Sequence, residues 1–537
     1  MPQCGEGDEI ASFFQPADGP LIASENRQRA PARVTTVHDA VPILDPRRCY
    51  EALRTRDERF DGRVFVGVTS TGIYCRPICP ARPPKPEHCR FFPSAAAAQE
   101  AGFRPCLRCR PETAPELGSW RGTSNTVSRG LALIDEGVLD RDDARVDLLA
   151  ERLGVGERQL RRLFARHLGA SPIAVAQTRR ALFAKQLIHD TRLPMAEIAL
   201  AAGFGSVRRF NETFRGLFGR PPASLRHKSS APRGSVAGVT LRLRYRPPYD
   251  WAAMIAHLRD RAIEGVERVD GARYRRTAAH GGELGVVEIE HEPARRCVVA
   301  TIRFPSVRAL PAMVTRIRRA FDLSADVEAI GAHLSRDPWL APLVSARPGL
   351  RTPGAWDGFE LAVRSVLGQQ ISVGAARALA GRLARCCGSV LGEGAEDGLT
   401  LAFPGPAEVA RANLSSLPMP GARKETLAAL ARAALADPLL FQPLDTLDET
   451  LGKLRAIRGI GEWTAHYIAL RAAREPDAFP ASDLGLLRAA AEQHAGRPSP
   501  DTLRARAERW RPWRGYAAQH LWTAAAAARP SAEGAPA

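Results

Sequence analysis

Long apolar runs are missing from this sequence. No segment reaches 18 consecutive apolar residues, so the sequence predicts no membrane-spanning helix. The first ten residues carry acids and no apolar stretch, which argues against a signal peptide. Cysteine is scarce too: ten in 537 residues are too few for a disulfide scaffold, and in a reducing cytosol clustered cysteines indicate metal ligands. We therefore expect a cytoplasmic protein with no membrane partner.

Acidic residues are in deficit as well. The chain has 58 acidic and 76 basic residues, which gives a formal net charge of +18 at pH 7. A surplus of this size favours a polyanionic partner, and nucleic acid is the commonest one. The alternative is an arginine-rich proteome without such a partner. A chain of 537 residues is too long to fold around one hydrophobic core, so we expect three or four domains.

The residue pattern changes several times along the chain. A cysteine-bearing stretch with little helical periodicity is followed by a helical stretch, then by alternating strands, and then by a long helical region. The predicted fold class is therefore multidomain and mostly α. The predicted segments are a disordered tail at 1–44, domains at 45–117, 118–228, 238–321 and 322–528, a linker at 229–237, and a disordered tail at 529–537.

Two cysteine pairs stand out in the first domain. Cys75 and Cys79 form one pair, Cys106 and Cys109 form the other, and 26 residues separate the pairs. Short loops within each pair let both sulfurs face one ion, and four thiolates satisfy a tetrahedral structural zinc ion. We therefore predict one Zn²⁺ held by these four cysteines, with unrelated free thiols as the alternative. Cys89 lies between the pairs without a partner and is interpreted as a bystander.

The residues around these cysteines carry a resemblance. The run from Phe65 to Arg82, followed by Ala-Gly-Phe-Arg-Pro-Cys-Leu-Arg-Cys at 101–109, resembles the N-terminal domain of Ada-type methyl-phosphotriester sensors over about 70 residues. The resemblance implies that Cys75 accepts a methyl group from a damaged DNA phosphate. Zinc would keep the thiolate deprotonated, and methylation would remove one negative charge and strengthen phosphate binding.

Two stretches in the next domain repeat each other 49 residues apart, at 149–155 and 198–204. Each stretch predicts a short helix followed by a glycine turn, and a basic helix follows each, at 157–167 and at 206–218. This order is typical of a helix-turn-helix motif, and residues 172–189 are predicted to form the helix that connects the two motifs. The end of the second unit resembles an AraC-type domain, with Phe210, Phe214 and Phe218 as core. Candidate DNA contacts are Glu157, Arg158, Arg161, Arg162, Ser206, Arg208, Arg209 and Asn211; the alternative for each is a solvated face or a phosphate contact.

A helix, a Gly-x-Gly hairpin and a second helix occupy 454–467. Gly459 and Gly461 permit a tight turn, and the amides that begin the second helix can hold a DNA phosphate. Asp483 follows Gly461 by 22 residues, and together these features resemble the helix-hairpin-helix glycosylase superfamily. Asp483 is the predicted catalytic carboxylate, with a helix N-cap as the alternative role.

Further motifs at 356–373 and 510–522 are similar to the AlkA-type 3-methyladenine glycosylase. An alkylated purine is cationic and leaves readily, so a carboxylate that stabilises the cationic sugar and guides water suffices. The base must be flipped out of the duplex, and the resemblance implies that Trp463, Tyr467 and Trp522 form the aromatic pocket that receives it. Taken singly, each aromatic residue is more often core.

Several absences refine this interpretation. Position 463 is Trp, whereas lyase-competent members carry a lysine there, so we expect a monofunctional enzyme. No cysteine follows Cys387, which excludes the iron–sulfur cluster of the endonuclease branch of the superfamily. The sequence also lacks the Pro-Cys-His-Arg motif of methylguanine methyltransferases, so we expect no O6-methylguanine repair. In the AlkA-type pattern, the position of Gln370 is a leucine that fills the gap left by the flipped base. Whether Gln370 contacts DNA as the same wedge is therefore open.

Together the resemblances imply an adaptive-response DNA alkylation repair protein that excises 3-methyladenine and regulates transcription. Its parts would be a small zinc-bound α+β domain, two helix-turn-helix units, an α+β subdomain and an all-α helix-hairpin-helix glycosylase domain. The expected partners are double-stranded DNA and RNA polymerase, and the expected state is a monomer. The alternatives are a regulator with a vestigial glycosylase and a glycosylase whose N-terminal parts only anchor DNA.

Overall fold

A computed structural model describes residues 45–115, 125–135, 137–140, 145–226, 238–392, 398–442, 446–492 and 496–527. The predicted tails and the predicted linker lie outside these ranges. Within them, none of the helices combines the length and the apolar character that crossing a membrane requires.

The first described region is built on a small sheet. Its elements are α1 Pro46–Thr55, β1 Phe65–Val68, β2 Ile73–Cys75, β3 Cys89–Phe92, α2 Ala95–Glu100 and β4 Arg104–Pro105. The strand order is β3-β1-β2-β4, with β2 and β4 parallel and the other pairs antiparallel. Asp45 caps α1 by accepting from the Arg47 amide at 3.0 Å, and Pro46 favours the first turn. This sheet places β2 and β4, the strands that lead into the two cysteine pairs, side by side.

The described residues from 125 to 218 form six α-helices, and these have the predicted helix-turn-helix pattern. They are α3 Asn125–Asp135, α4 Val146–Arg152, α5 Glu157–Leu168, α6 Pro172–Asp190, α7 Met195–Ala201 and α8 Val207–Phe218. The connecting helix α6 begins where Ser171 caps it and Pro172 occupies its first turn. Leu149, Leu160 and Phe164 are fully buried, so the first unit has an apolar core of its own.

An antiparallel five-stranded sheet comes next, in the order β5-β9-β8-β7-β6. Its elements, with the two helices that accompany it, are β5 Val239–Arg244, α9 Trp251–Arg261, β6 Glu267–Asp270, β7 Arg273–His280, β8 Glu283–Glu292, β9 Cys297–Arg303 and α10 Leu310–Ala320. Alternating apolar residues on β5 face the core, as the sequence pattern predicts.

The described residues after α10 are helical apart from one short pair of strands. Its elements are α11 Val327–Leu334, α12 Ala341–Ala346, α13 Gly358–Leu367, α14 Val373–Cys387, β10 Ser389–Val390, β11 Leu401–Ala402, α15 Pro406–Arg411, α16 Gly421–Ala436, α17 Leu447–Arg455, α18 Glu462–Arg471, α19 Leu484–Glu492, α20 Pro500–Ala507 and α21 Arg514–Ala527. The strands β10 and β11 pair antiparallel, a feature that the helical periodicity of this region did not predict.

The second helix-turn-helix unit and the five-stranded sheet share one apolar core. Phe210 of α8, Leu241 of β5 and Phe321 after α10 are fully buried members of the same cluster. The Gln186 side chain of α6 also donates to the Arg242 carbonyl of β5 at 3.2 Å. Because fully burying one such side chain contributes about 1.5–3 kcal/mol, the unit and the sheet stabilise each other.

Candidate metal centre and active site

The four predicted cysteine ligands converge at one point. Cys75 ends β2 and Cys106 follows β4, so pairing of these strands brings the two loops together. The sulfurs of Cys75, Cys79, Cys106 and Cys109 all lie within 4.8 Å of one another. Four thiols at this spacing match the tetrahedral donor set that zinc prefers. Cys89 lies in β3, outside this group, as the sequence predicts.

Cys75 differs from the other three cysteines in its access to solvent. Cys79, Cys106 and Cys109 are 4%, 6% and 7% exposed, whereas Cys75 is partly exposed. Cys109 Sγ also accepts from the Arg76 backbone amide at 3.3 Å, which lowers the electron density on that sulfur.

Two buried cations that sequence reasoning missed hold the cysteine loops. Arg76 forms a buried ion pair with Asp61 and donates to the Cys109 carbonyl at 3.1 Å. Lys185, on α6, is fully buried and donates to the Cys106 carbonyl at 3.0 Å and to Glu112 at 2.6 Å. The sequence feature that could have identified Lys185 is a single lysine among the apolar residues of α6. In the fold, Lys185 links the cysteine loops to α6, the helix between the two helix-turn-helix units.

The candidate DNA contacts of the helix-turn-helix units lie near the start of α5 and α8. Ser206 caps α8 by accepting from the Arg209 amide at 3.1 Å, so its hydroxyl already has one structural role. Arg161 is paired with Glu157, and Arg208 is paired with Glu212 at 2.8 Å. Glu157, Arg158, Arg161, Arg162, Ser206, Arg208 and Arg209 are exposed, and Asn211 is half-buried.

Asp483 lies at the N-terminus of α19 with its carboxylate in a cleft of about 1040 Å³. One carboxylate oxygen accepts from the Trp522 indole nitrogen at 2.8 Å and from the Leu486 amide at 2.9 Å. The other accepts from the Trp463 indole nitrogen at 2.7 Å. The carboxylate therefore caps α19 and lines the cleft at the same time, so the cap and the cleft position are not alternatives.

The three predicted pocket aromatics come together around this carboxylate. Trp463 and Tyr467 are stacked with ring centroids 5.3 Å apart and an interplanar angle of 14°. The Trp522 ring meets Tyr467 edge-on at 6.2 Å. All three line the cleft, which presents flat π faces beside the Asp483 carboxylate.

His466 positions the loop that leads to Asp483. Its Nδ1 accepts from the Phe479 amide at 3.1 Å, which requires an unprotonated nitrogen. Burial lowers the pKa of His466 to about 4, so the ring stays neutral at physiological pH. This residue lies within the hairpin motif of the sequence, but its role depends on a contact that only the fold creates.

The Gly-x-Gly hairpin lies between α17 and α18. Gly459 has φ +87°, and a Cβ at this position would lie 1.9 Å from Thr426 Oγ1, so no other residue fits. Gly461 is exposed at the start of α18 and has open space around it. The hairpin thus offers the amides of a helix N-terminus to the surface, as a phosphate contact needs.

Gln370 lies at the exposed tip of the turn between α13 and α14 and has φ +59°. Its neighbour Gln369, which sequence reasoning missed, donates to the Gly459 carbonyl at 3.1 Å and to Thr464 Oγ1 at 3.2 Å. Ile371 on the other side is 37% exposed. The turn is thus anchored to the hairpin and presents a polar and an apolar side chain together.

Three known protein families match separate segments of the chain. The metal-binding domain of Ada matches residues 48–112, a helix-turn-helix domain matches residues 149–228, and the AlkA N-terminal domain matches residues 240–357.

Similar proteins cover both halves of the chain. A probable bifunctional transcriptional activator/DNA repair enzyme AlkA from Mycobacterium tuberculosis is 42% identical over 488 residues, which are 89% of this chain and 96% of the relative. DNA-3-methyladenine glycosylase 2 from Escherichia coli is 35% identical over 283 residues, 52% of this chain and 95% of that protein. Among solved structures, a 3-methyladenine DNA-glycosylase from Archaeoglobus fulgidus has a TM-score of 0.48 at 21% identity and covers 53% of this chain and 98% of its own.

Proposed function

Because the chain belongs to the family of AlkA-type bifunctional transcriptional activators and DNA repair enzymes, we propose that it couples excision of alkylated bases to detection of alkylated DNA. The excised bases are 3-methyladenine and related lesions, and the detected lesion is the methyl phosphotriester. The observation that carries the excision half is the Asp483 carboxylate, held by two indole N–H groups in an aromatic cleft beside the hairpin.

Excision is hydrolysis of the bond between the base and C1′ of the sugar. The flipped base stacks in the cleft against Trp463, Tyr467 and Trp522, and the Gly459–Gly461 hairpin holds the backbone phosphate. As the bond breaks, its electron pair goes to the base and positive charge develops on the sugar. The Asp483 carboxylate stabilises that charge and accepts a proton from the attacking water. No lysine is among the described residues that line the cleft, in keeping with a monofunctional enzyme.

Detection uses the cysteine centre. Cys75, Cys79, Cys106 and Cys109 bind one Zn²⁺, which when bound keeps the sulfurs deprotonated at neutral pH. The Cys75 thiolate attacks the methyl carbon of a phosphotriester, a C–S bond forms, the C–O bond breaks, and an ordinary phosphodiester remains. The centre loses one negative charge, so its repulsion of DNA falls and specific binding strengthens.

The helix-turn-helix units direct this binding to promoter DNA. We propose that α5 and α8 enter neighbouring major grooves, with Arg158, Arg162, Arg209 and Asn211 among the contacts. We also propose that the protein acts as a monomer in the cytoplasm and contacts RNA polymerase. The proposed functional limits are 45–117 for the sensor, 118–228 for the DNA-binding domain, 238–321 for the α+β subdomain and 322–528 for the glycosylase domain.

The test is Asp483→Asn, measured as release of 3-methyladenine from methylated duplex DNA. Asparagine caps helices as well as aspartate does, so α19 should persist, but the negative charge is gone. We expect excision to fall about 100-fold or more while DNA affinity changes little. Ser499→Ala, which removes the cap of α20 away from the cleft, is the control and should leave the rate intact.

Equal excision by Asp483→Asn and wild type would reduce Asp483 to a helix cap. A borohydride-trapped adduct would contradict the monofunctional mechanism. For the sensor half, promoter binding is measured before and after methylation, and the methyl group is located by mass spectrometry. A methyl group on another cysteine, or unchanged affinity, would contradict the proposed switch.

A further inference from the structure

A group of charged side chains joins the five-stranded sheet to α13. The sheet contributes Glu267 from β6 and Arg276 from β7, and α13 contributes Glu360 and Arg364. Glu360 is paired with Arg276 at 2.7 Å and with Arg364 at 2.7 Å. Glu267 is also paired with Arg364, which closes the group. These four side chains form an ion-pair network in which two carboxylates balance two guanidinium groups.

The network lies in the interior, where Glu267, Arg276 and Glu360 are buried. Burial alone would raise the pKa of Glu267, but Arg364 and Arg276 reverse the shift, so this carboxylate is charged. Buried ion pairs add little stability over well-packed apolar side chains, because the desolvation of the charges offsets their attraction. Such a network is better suited to fixing the relative orientation of the elements that it joins.

The segment at the end of α9 is tied into the same network. Arg364 donates to the Arg261 carbonyl at 3.1 Å. The Ile263 amide donates to the Glu267 carboxylate at 3.1 Å, and the Tyr274 hydroxyl donates to the same carboxylate at 2.6 Å. The sheet, the end of α9 and α13 therefore meet in one set of directional contacts.

The turn between α13 and α14 begins directly beyond this network. The Arg364 carbonyl accepts from the Gly368 amide at 3.0 Å, so the turn starts one helical turn after Arg364. From the other side, Arg423 donates to the Gln369 carbonyl at 2.7 Å, and the Gln369 side chain is bonded to the hairpin. The turn is thus fixed by α13 on one side and by the hairpin region on the other.

The tip of this turn presents apolar surface at the mouth of the cleft. Ile371 is 37% exposed and Val373 is 45% exposed, and both line the cleft. Gln370, at the position of the leucine in the AlkA-type pattern, is not among the described residues that line it. Where this apolar surface meets the duplex depends on where α13 ends, and therefore on the contacts that orient α13.

We infer that the ion-pair network positions the turn after α13 for insertion beside the flipped nucleotide, so that the five-stranded sheet contributes to base flipping. Glu267 and Arg276 are then positioning residues, which act through α13 and not on the reacting atoms. The inference rests on the proposed glycosylase function and gives the α+β subdomain a role in it. Extrusion of a base costs least when the base is unpaired, so a misplaced turn should impair excision of a paired base most.

The test compares single-turnover excision of 3-methyladenine from two duplexes, one with thymine and one with an abasic-site analogue opposite the lesion. The variant is Arg276→Met/Glu360→Met, which keeps both side-chain lengths and leaves Glu267 paired with Arg364. We expect the ratio of the rate opposite thymine to the rate opposite the abasic-site analogue to fall about 10-fold or more, because small misplacements of positioning elements have effects of this size.

Arg273→Met is the matched control. Arg273 lies on β7 like Arg276, but it is paired with Glu288 and Glu290 of β8 and not with α13. Its ratio should equal that of wild type. Glu360→Gln is a milder variant that keeps the side-chain shape and decides the matter if the double variant does not fold. Because charge-assisted hydrogen bonds are stronger than neutral ones, we expect its ratio to fall about 3-fold or more.

Denaturant unfolding shows which variants are folded. In a folded variant, an unchanged ratio, or a fall of both rates in equal proportion, would overturn the inference and limit the network to a structural role. Excision by wild type together with either of these results would leave the proposed glycosylase function standing. If wild type releases 3-methyladenine from neither duplex, the proposed function itself fails.

Discussion

The metal centre and the excision cleft reach their geometry by different routes. All four thiols come from two short loops between residues 75 and 109, which the pairing of β2 and β4 brings together. The cleft is lined by residues spread from Ala252 to Ala527, which come from the five-stranded sheet and from helices that include α9, α13, α14, α18 and α21. A metal site can therefore be specified by local spacing, whereas a base cleft depends on the packing of a whole domain. The two centres should respond to different substitutions.

Cys106→Ala is expected to produce the largest difference between the metal centre and the excision cleft. Three remaining thiols do not complete a tetrahedral structural site, so zinc should be lost together with methyl transfer to Cys75. The cleft contains none of these residues, so excision of 3-methyladenine should persist. Zinc is measured by elemental analysis, with Cys89→Ala as the control. Stoichiometric zinc in Cys106→Ala would remove the four-thiolate assignment.

Lys185→Met should produce the next largest effect. The substitution leaves Glu112 buried beside Arg110 without its lysine partner, and removing one member of a buried ion pair costs about 3–5 kcal/mol. Lys453→Met is the matched control, because Lys453 and Asp437 form a half-exposed pair whose loss costs at most about 1 kcal/mol.

The measurement is denaturant unfolding of both lysine variants beside wild type. Equal losses in Lys185→Met and Lys453→Met would contradict the idea that α6 holds the cysteine loops through Lys185. The double variant Lys185→Met/Glu112→Leu should recover much of the stability, because no unpaired charge is then buried.

This comparison also explains what the sequence could predict. The cysteine spacing predicted the four ligands, and the Gly-x-Gly motif with Asp483 predicted the hairpin and the carboxylate. The contacts of Lys185 and Arg261 could not be predicted, because each depends on a helix packing against elements distant in sequence. Periodicity tells which face of a helix is buried but not which polar group that face meets.

The packing between two predicted domains shows the same limit. Composition predicts a linker at 229–237 and separate units on either side, and these boundaries remain a prediction. Among the described residues, Phe210 of α8 and Leu241 of β5 lie in one buried cluster. Apolar stripes on both sides were visible in the sequence, but their mutual burial follows from tertiary packing, which neither stripe encodes alone.

Trp522→Phe addresses the cleft alone. It removes one N–H donor from Asp483 and keeps an aromatic ring, so the carboxylate is less firmly oriented. A hydrogen bond to a charged group contributes about 1.5–3 kcal/mol, which corresponds to about a 10-fold to 100-fold loss in excision rate. Methyl transfer to Cys75 should be unchanged. Trp513→Phe, which does not line the cleft, serves as control; an equal loss there would point to general destabilisation.

The smallest effect is expected from Gln369→Ala. This substitution removes the anchor of the turn between α13 and α14 and leaves Gln370, the residue at the tip of the turn, unchanged. Gln369 holds the turn to the hairpin through the Gly459 carbonyl and Thr464, and both bonds are lost in the variant. Two neutral hydrogen bonds of about 0.5–1.5 kcal/mol each predict a loss of affinity for abasic-site DNA of about 5-fold to 100-fold at most. Water can replace part of the loss at this half-exposed position, so we expect the lower end. Promoter affinity should not change, because the proposed promoter contacts lie on α5 and α8. An equal fall in both affinities would show that the turn and the helix-turn-helix units are coupled.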